Sequence, residues 1–335
     1  MLASGKEIHT EAMRVYALRL KDKKELNNSS SGGTFTAISD VFLSSGNAVV
    51  SAIYNYDTNQ NEFSLYTTLE DRDRARGSKY MQAYPLNSFK EAEQWIKEND
   101  KDLLFVGTGC QADGFRMYAE KKGFRDRTTI VGIICHGTPS PKIWKDYVDG
   151  KVDYLTFKDK RNGWSNPTAY ILKDGKEQPI SDYVSIFYNR CALRPSCYEC
   201  PYATTERKVD LTIGDFWGIE KVMPDFYSSE GNSLVLVHTE KGQRLFEMIK
   251  DKVEWRESNT TDCLQPNLIN PTERSPKREE FWFDYRKKGI SFVIKKYTGV
   301  SFMSRIKRKI KKILGGGTLV PVHLYGGQQY ASICC

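Results

Sequence analysis

The chain has 335 residues, 39% hydrophobic and 27% charged, which is the balance of a soluble globular protein with one large domain or two ordinary ones. No apolar run reaches the ~18 residues of a transmembrane helix, and Met1-Leu-Ala-Ser-Gly-Lys-Glu lacks the apolar stretch of a secretory signal, so a cytoplasmic location is expected. The eight cysteines then read as thiols or metal ligands, not as a disulfide framework.

The net charge of +8 is uneven: eleven Lys and Arg follow Asp284 with no acidic residue among them, leaving residues 1–284 at 39 minus 42, or −3. A basic tail on a near-neutral body does not describe a nucleic-acid-binding protein.

In chain order, Val15-Tyr-Ala-Leu-Arg-Leu20 reads as a strand and Asn27 to Gly33 as a small polar turn. Thr34 to Leu43 has helical spacing at Phe35, Ile38, Val41 and Phe42. Ala48 to Ile53 and Phe63 to Thr68 read as strands. Ser88 with Glu91 fits a capping box opening a helix through Trp95 and Ile96. Asp102 to Val106 is a short buried-type strand, Ala112 to Gly123 a helix packing through Phe115, Met117 and Tyr118, and Thr129 to Ile134 a second buried strand. This β-α-β pattern implies parallel strands, and it places Cys110 and Cys135 beyond two carboxyl ends, the edge where open α/β sheets build their sites.

Pro141 begins a helix through Trp144 and Tyr147. Lys158 to Trp164 reads as a charged turn, Val209 to Ile213 as a strand ending in Gly214-Asp-Phe-Trp-Gly218, Ser233 to Val237 as another strand, and Gln243 to Ile249 as a helix. The fold class expected is α/β: a mixed sheet with flanking helices, site cysteines at strand ends, and a basic helical C-terminal tail. In that tail, Phe302, Ile306, Ile310 and Ile313 recur at helical spacing among six Lys and Arg over residues 301–314. The pattern suits peripheral contact with the inner face of an anionic membrane, an acidic redox partner, or a solvated helix.

Cys197 and Cys200 form a C-x-x-C. With Cys110 and Cys135 they make four thiols able to close around one metal centre. Few histidines accompany them, which favours iron–sulfur over a mixed zinc site. Ordinary buried cysteines satisfy the same spacing. Cys191 is a rival ligand, since C-x5-C-x2-C also wraps a metal, and a zinc-stabilised binding module is the alternative reading.

Seven motifs in order resemble the coenzyme F420 hydrogenase/dehydrogenase beta-subunit family: Ser30-Ser-Gly-Gly33, Arg76-Gly-Ser-Lys-Tyr80 with Gln82, Gly107-Thr-Gly-Cys-Gln111, Cys135-His-Gly-Thr-Pro-Ser-Pro141, Asp159-Lys-Arg-Asn-Gly-Trp164, Leu193 to Cys200, and Gly214 to Gly218. The resemblance covers residues 13 to 250. It implies an iron–sulfur flavoprotein oxidoreductase with a [4Fe-4S] cluster on Cys110, Cys135, Cys197 and Cys200, next to FAD. It further implies F420 or another small molecule as the acceptor.

On this resemblance, Ser30, Ser31, Gly32 and Gly33 serve the flavin diphosphate before a helix N-terminus. Arg76, Ser78 and Lys79 serve phosphate or ring, Thr108, Gly109 and Gln111 the cluster or flavin, and Asp215 with Trp217 the flavin pocket. His136 is a candidate proton donor or sulfur partner, or a structural histidine. Asp159, Arg161 and Asn162 read as a substrate or partner contact, or a plain charged turn. The family implies an N-terminal α/β domain (13–104), a C-terminal α/β domain with the Fe–S site (105–255) and a basic extension (256–335). Family members often carry Pro where this chain has Gly109. No cysteine precedes Cys110, so electrons are expected from a ferredoxin or partner subunit. A non-catalytic electron-transfer subunit is a further alternative.

Overall fold

A computed structural model describes residues 13–298. The strands are β1 (Arg14–Leu20), β2 (Ala48–Asn55), β3 (Gln60–Tyr66), β4 (Ala83–Tyr84), β5 (Leu103–Thr108), β6 (Thr128–Ile133), β7 (Tyr154–Asp159), β8 (Thr168–Lys173), β9 (Lys176–Pro179), β10 (Leu211–Asp215), β11 (Ser233–Val237) and β12 (Val253–Ser258). Nine form one mixed sheet, in the order β12-β1-β11-β10-β6-β5-β2-β3-β4. Its centre, β10-β6-β5-β2, is parallel. The flanking pairs β1 with β11, β1 with β12, β10 with β11 and β2 with β3 are antiparallel.

The central strands are near-continuous apolar runs because both faces are covered. Along β5, Leu104 and Val106 face one core with Ile38 and Phe42 of helix Thr34–Ser44 and Phe246 of helix Glu240–Ile249. Leu103 and Phe105 face the other core with Ile96 of helix Ser88–Glu98 and Phe115 of helix Gly109–Lys122. Phe105 stacks on Phe115 at 4.1 Å between ring centroids. Residues from both sides of position 104 thus share one sheet.

The expected β-α-β unit is present, with β5 and β6 adjacent and parallel. Three local expectations are corrected. Met117 is exposed, because Ala112, Phe115 and Ala119 form the helix's inner stripe. Ser88 is not a cap: it is the first helical residue, and its hydroxyl donates to Pro85 O at 2.5 Å. The strand expected from Val209 begins at Leu211, because Asp210 is a buried hub. Its carboxylate accepts from Arg125 Nη2 (2.9 Å), the Ile130 N–H (2.8 Å) and the Thr239 hydroxyl (2.8 Å).

A second sheet, β7-β8-β9, was not expected. Its β8–β9 turn is Asp174-Gly175, with φ of 51° and 70°, the Asp-Gly signature of a tight hairpin. This sheet packs with Trp144, Tyr183 and Phe281 in a separate core closed by helix Arg278–Tyr297. No helix among the described residues is long and apolar enough to cross a membrane. The basic stretch 301–314 lies outside the described residues.

Candidate functional site

The carboxyl ends of β5, β6 and β10 lie side by side, so Cys110, Cys135 and Asp215 follow from neighbouring strands. Helix Gly109–Lys122 starts directly after β5, which puts Cys110 in its first turn. The Cys197–Cys200 loop joins them through two close approaches. A Cβ on Gly109 would lie 2.7 Å from Tyr202 Cβ, so only glycine lets the turn after Cys200 rest against the Cys110 turn. A Cβ on Gly137 would lie 2.8 Å from Leu193 Cδ1 and 3.4 Å from Cys197 Cβ. Backbone bonds zip the same segments: Arg194 N–H donates to Thr138 O at 2.9 Å and Ser140 N–H to Ala192 O at 2.9 Å.

Two of the thiols, Cys135 and Cys197, consequently feel their neighbours. Burial, followed by the nearby Cys110, Cys197 and Cys200, pushes the Cys135 thiol up to about 12. Cys197 is raised by burial, and Cys110 and Cys200 add to it. Among the described residues no three His, Cys, Asp or Glu side chains converge tightly enough for a single ion.

Cys191 stands apart in the core, its thiol 3.2 Å from Ser275 Oγ and its carbonyl accepting from Arg278 at 2.6 Å. Cys263 is buried, its thiol 3.6 Å from Thr260 O. Gln111 orients the Cys110 turn: its Oε1 accepts from the Thr108 N–H at 3.0 Å and the Thr108 hydroxyl at 2.9 Å. Thr108 Oγ1 in turn lies 3.4 Å from Cys110 Sγ. The Thr108 N–H and hydroxyl are thereby engaged within the turn.

The Ser30–Gly33 loop and the Arg76–Lys79 segment meet. Ser30 Oγ accepts from the Ser78 N–H at 3.1 Å and lies 3.3 Å from Ser78 Oγ. Gly33, with φ of +83°, caps helix Thr34–Ser44 without any side-chain bond. The Gly32 and Gly33 N–H groups already bond Ser233 Oγ (2.8 Å) and Ser30 O (3.0 Å). Donors for an anion therefore come from the helix's first turn. There Thr34 Oγ1 is buried without a partner among the described residues. An orphaned polar atom at a helix N-terminus fits a phosphate-bearing group.

Arg76 and Lys79 are less free than the sequence suggests. Arg76 pairs with Glu25 and, at 2.9 Å, with Asp73. Lys79 Nζ caps a helix end, donating to the carbonyls of Ala75 (2.9 Å), Arg76 (3.1 Å) and Gly77 (3.1 Å), and burial pulls its ammonium down to about 7.

Asp215 is a buried hub, not a turn residue. It pairs with Lys158 and accepts from Ser31 Oγ and, at 3.0 Å, from Trp164 Nε1. Trp217 is exposed. Lys158 lies in β7 and points inward, and Lys160 donates to Leu26 O (2.8 Å) and Ser31 O (2.6 Å). Burial lowers Lys160 to about 8. Sequence reasoning missed both lysines, because alternation along a strand was read as a charged turn. Arg161 does lie on the surface, bonded to Asp159 (2.9 Å) and Glu177 (2.9 Å), and Asn162 bonds Thr168 at 3.0 Å.

His136 links the two halves. Burial, with the nearby Arg190, outweighs a hydrogen bond with Asn267 and drops its pKa to about 4, leaving it neutral. Its ring lies 5.4 Å from Tyr188, and Tyr188 in turn is within electrostatic reach of Tyr80, Lys158 and Asp215. Tyr188 thus lies between His136, the neighbour of Cys135 in sequence, and the Lys158–Asp215 pair.

The fold is thus an α/β protein with thiols at the carboxyl rim of its parallel core, beside the start of helix Thr34–Ser44. Residues 100–262 match the family model of the C-terminal part of the coenzyme F420 hydrogenase/dehydrogenase beta subunit, and that part of the chain belongs to this oxidoreductase family. It is 24% identical over 254 residues to the F polypeptide of the F(420)H(2) dehydrogenase of Methanosarcina mazei, a match covering 74% of this chain and 66% of that protein. Its fold is similar to a chain of the F420-reducing [NiFe] hydrogenase complex from Methanosarcina barkeri. That match has a TM-score of 0.50 at 18% identity and covers 90% of this chain and 92% of the other.

Proposed function

We propose that this chain is an iron–sulfur flavoprotein oxidoreductase. It would hold a [4Fe-4S] cluster on Cys110, Cys135, Cys197 and Cys200, and FAD beside it. The observation that carries this reading is the approach of three thiol-bearing chain segments, closed by Gly109 against Tyr202, Gly137 against Cys197, and the Arg194–Thr138 backbone bond. When bound, such a pair of groups converts single-electron delivery into two-electron reduction.

The chain's own residues supply the framework. Gly109 and Gly137 let the Cys197–Cys200 loop close on the other two thiols. Thr34 and the first turn of its helix offer donors to a diphosphate, and the Ser30–Ser78 contact fixes that turn. Neutral His136 presents a buried ring nitrogen between the two regions. The named relatives act in F420-linked dehydrogenase and hydrogenase systems. By analogy, the proposed donor is a ferredoxin or partner subunit, and the acceptor is F420 or another small organic molecule.

The test is anaerobic purification with iron, sulfide, zinc and flavin assays on one sample. About four irons and four sulfides with one FAD per chain are expected. Cys197→Ala should lose the iron, whereas Cys263→Ala and Cys191→Ala should keep it. Zinc without sulfide or flavin, or equal iron in all three variants, overturns the proposal.

A further inference from the structure

We propose a ligand site in the groove between the β2–β3 hairpin and helix Pro141–Tyr147, suited to a flat aromatic molecule carrying an acid group. The groove has a volume of about 770 Å³, within the usual range for small-molecule sites. It opens at the same sheet edge as Cys110 and Cys135, because the hairpin hangs from the carboxyl end of β2. Met81 and Gln82 continue the Arg76–Tyr80 motif directly, and Pro141 ends the motif that starts at Cys135.

Three features define the occupant. The side walls are Tyr56, Met81 and Tyr84, apolar surfaces on which a flat ring packs. They are held in place from behind. Trp144 Nε1 donates to Tyr54 OH (3.2 Å) and Asn59 O (3.1 Å), and Asn59 Nδ2 donates to Gly150 O (2.8 Å) to close one end.

The second feature is Asn61. It lines the groove at 3% exposure, and its Oδ1 has no partner among the described residues. A buried amide oxygen without a donor is costly, and a turn of the Asn61 side chain toward the groove would let an O–H or N–H on the ligand's edge satisfy it. The third is charge. Lys142 is neutralised by Asp146 at 2.8 Å. Lys145 and Lys151, both exposed on the groove's lining, form no ion pair among the described residues, and they await an acid group. Assigning this ligand as the redox substrate rests on the function proposed above; the binding does not.

The test titrates the full anaerobically purified chain, with its iron and flavin assayed, against three fluorescent probes. 6-Hydroxynaphthalene-2-sulfonate carries both donor and acid, naphthalene-2-sulfonate lacks the donor, and 2-naphthol lacks the acid. The first should bind best, with each deletion weakening affinity by about tenfold. Asn61→Leu should erase the advantage of the hydroxyl, and K145E/K151E the advantage of the sulfonate. Asn61→Leu should also raise the melting temperature, since an unpartnered amide is gone. No saturable binding, or equal affinity for the three probes, overturns the site. A chain that binds the probe but contains neither iron nor flavin keeps the site and removes the redox reading. A loaded chain that fails to bind does the reverse.

Discussion

Gly109 and Gly114 lie on the same helix, and the same substitution at the two is expected to shift stability in opposite directions. Replacing a helical glycine by alanine gains about 0.5–1 kcal/mol from reduced freedom of the unfolded chain. At Gly114 a new Cβ meets nothing within 4 Å, so Gly114→Ala should realise that gain. At Gly109 the Cβ would lie 2.7 Å from Tyr202 Cβ and 3.1 Å from its Cγ. Carbon atoms pack at about 3.5 Å, so roughly 0.8 Å must open.

Tyr202 cannot swing aside freely. Its hydroxyl donates to Asp113 Oδ2 at 2.9 Å, and Asp113 is paired with Arg116 at 2.7 Å. Overpacking of this kind costs about 1–3 kcal/mol, more than the helical gain. Gly109→Ala should therefore lower the urea midpoint, Gly114→Ala should raise it, and the slope should stay constant. Because Tyr202 is two residues past Cys200, Gly109→Ala should also lower iron per chain while Gly114→Ala leaves it intact. A Gly109→Ala midpoint at or above that of the unmodified chain would refute the reasoning.

The Lys158–Asp215 pair gives two further expectations. With side chains only 13% and 9% exposed, Lys158→Met leaves a buried carboxylate without its cation and should cost about 3–5 kcal/mol, read as a drop in the urea midpoint that Asp215→Asn partly restores. Burial alone would raise the Asp215 carboxyl, but Lys158, Ser31 and Trp164 outweigh it and its pKa falls below the ordinary value. Its stabilisation is thus fully present above about pH 4 and is lost as pH falls through the lowered pKa. Asp215→Asn should flatten the acid limb of the midpoint-against-pH curve, and an unchanged limb would count against this assignment. Buried Arg72 holds Asp40, so Arg72→Met should destabilise by about 3 kcal/mol, whereas Arg161→Met on the surface should cost under about 1 kcal/mol.

The parallel centre of the sheet was legible because its strands carry short unbroken apolar runs, and the helix after Thr108 follows at once. That alone brought Cys110 and Cys135 to one edge. The small sheet escaped notice because β9 is polar and exposed and β7 has only one buried residue, Phe157; its Asp-Gly turn was the available signal. Asp215 was read correctly as lying at a strand end, but its partners come from residues 31, 158 and 164, and no local pattern announces a pairing across such separations. The roles of Lys79 and Arg76 were hidden for a related reason. Sequence shows a cation but not whether a helix end or a neighbouring carboxylate already holds it. The groove depends on Asn61, whose missing partner is a property of the packed structure alone.

Gly109 also explains a departure from the resemblance, which leads one to expect proline before the first thiol. The backbone would accept proline. Position 109 is the first of its helix, where a missing N–H is harmless, and Thr108 has φ of −64° and ψ of 162°, the extended form that a residue before proline requires. Tyr202 alone refuses it, by occupying the space of any side chain there. Gly109→Pro should therefore be destabilising in this chain but tolerated when Tyr202→Ala accompanies it, with a coupling of about 1–3 kcal/mol in the double-mutant cycle. Additive effects would mean that the backbone, not Tyr202, sets the choice of glycine, and that the close approach does not seat the Cys200 loop.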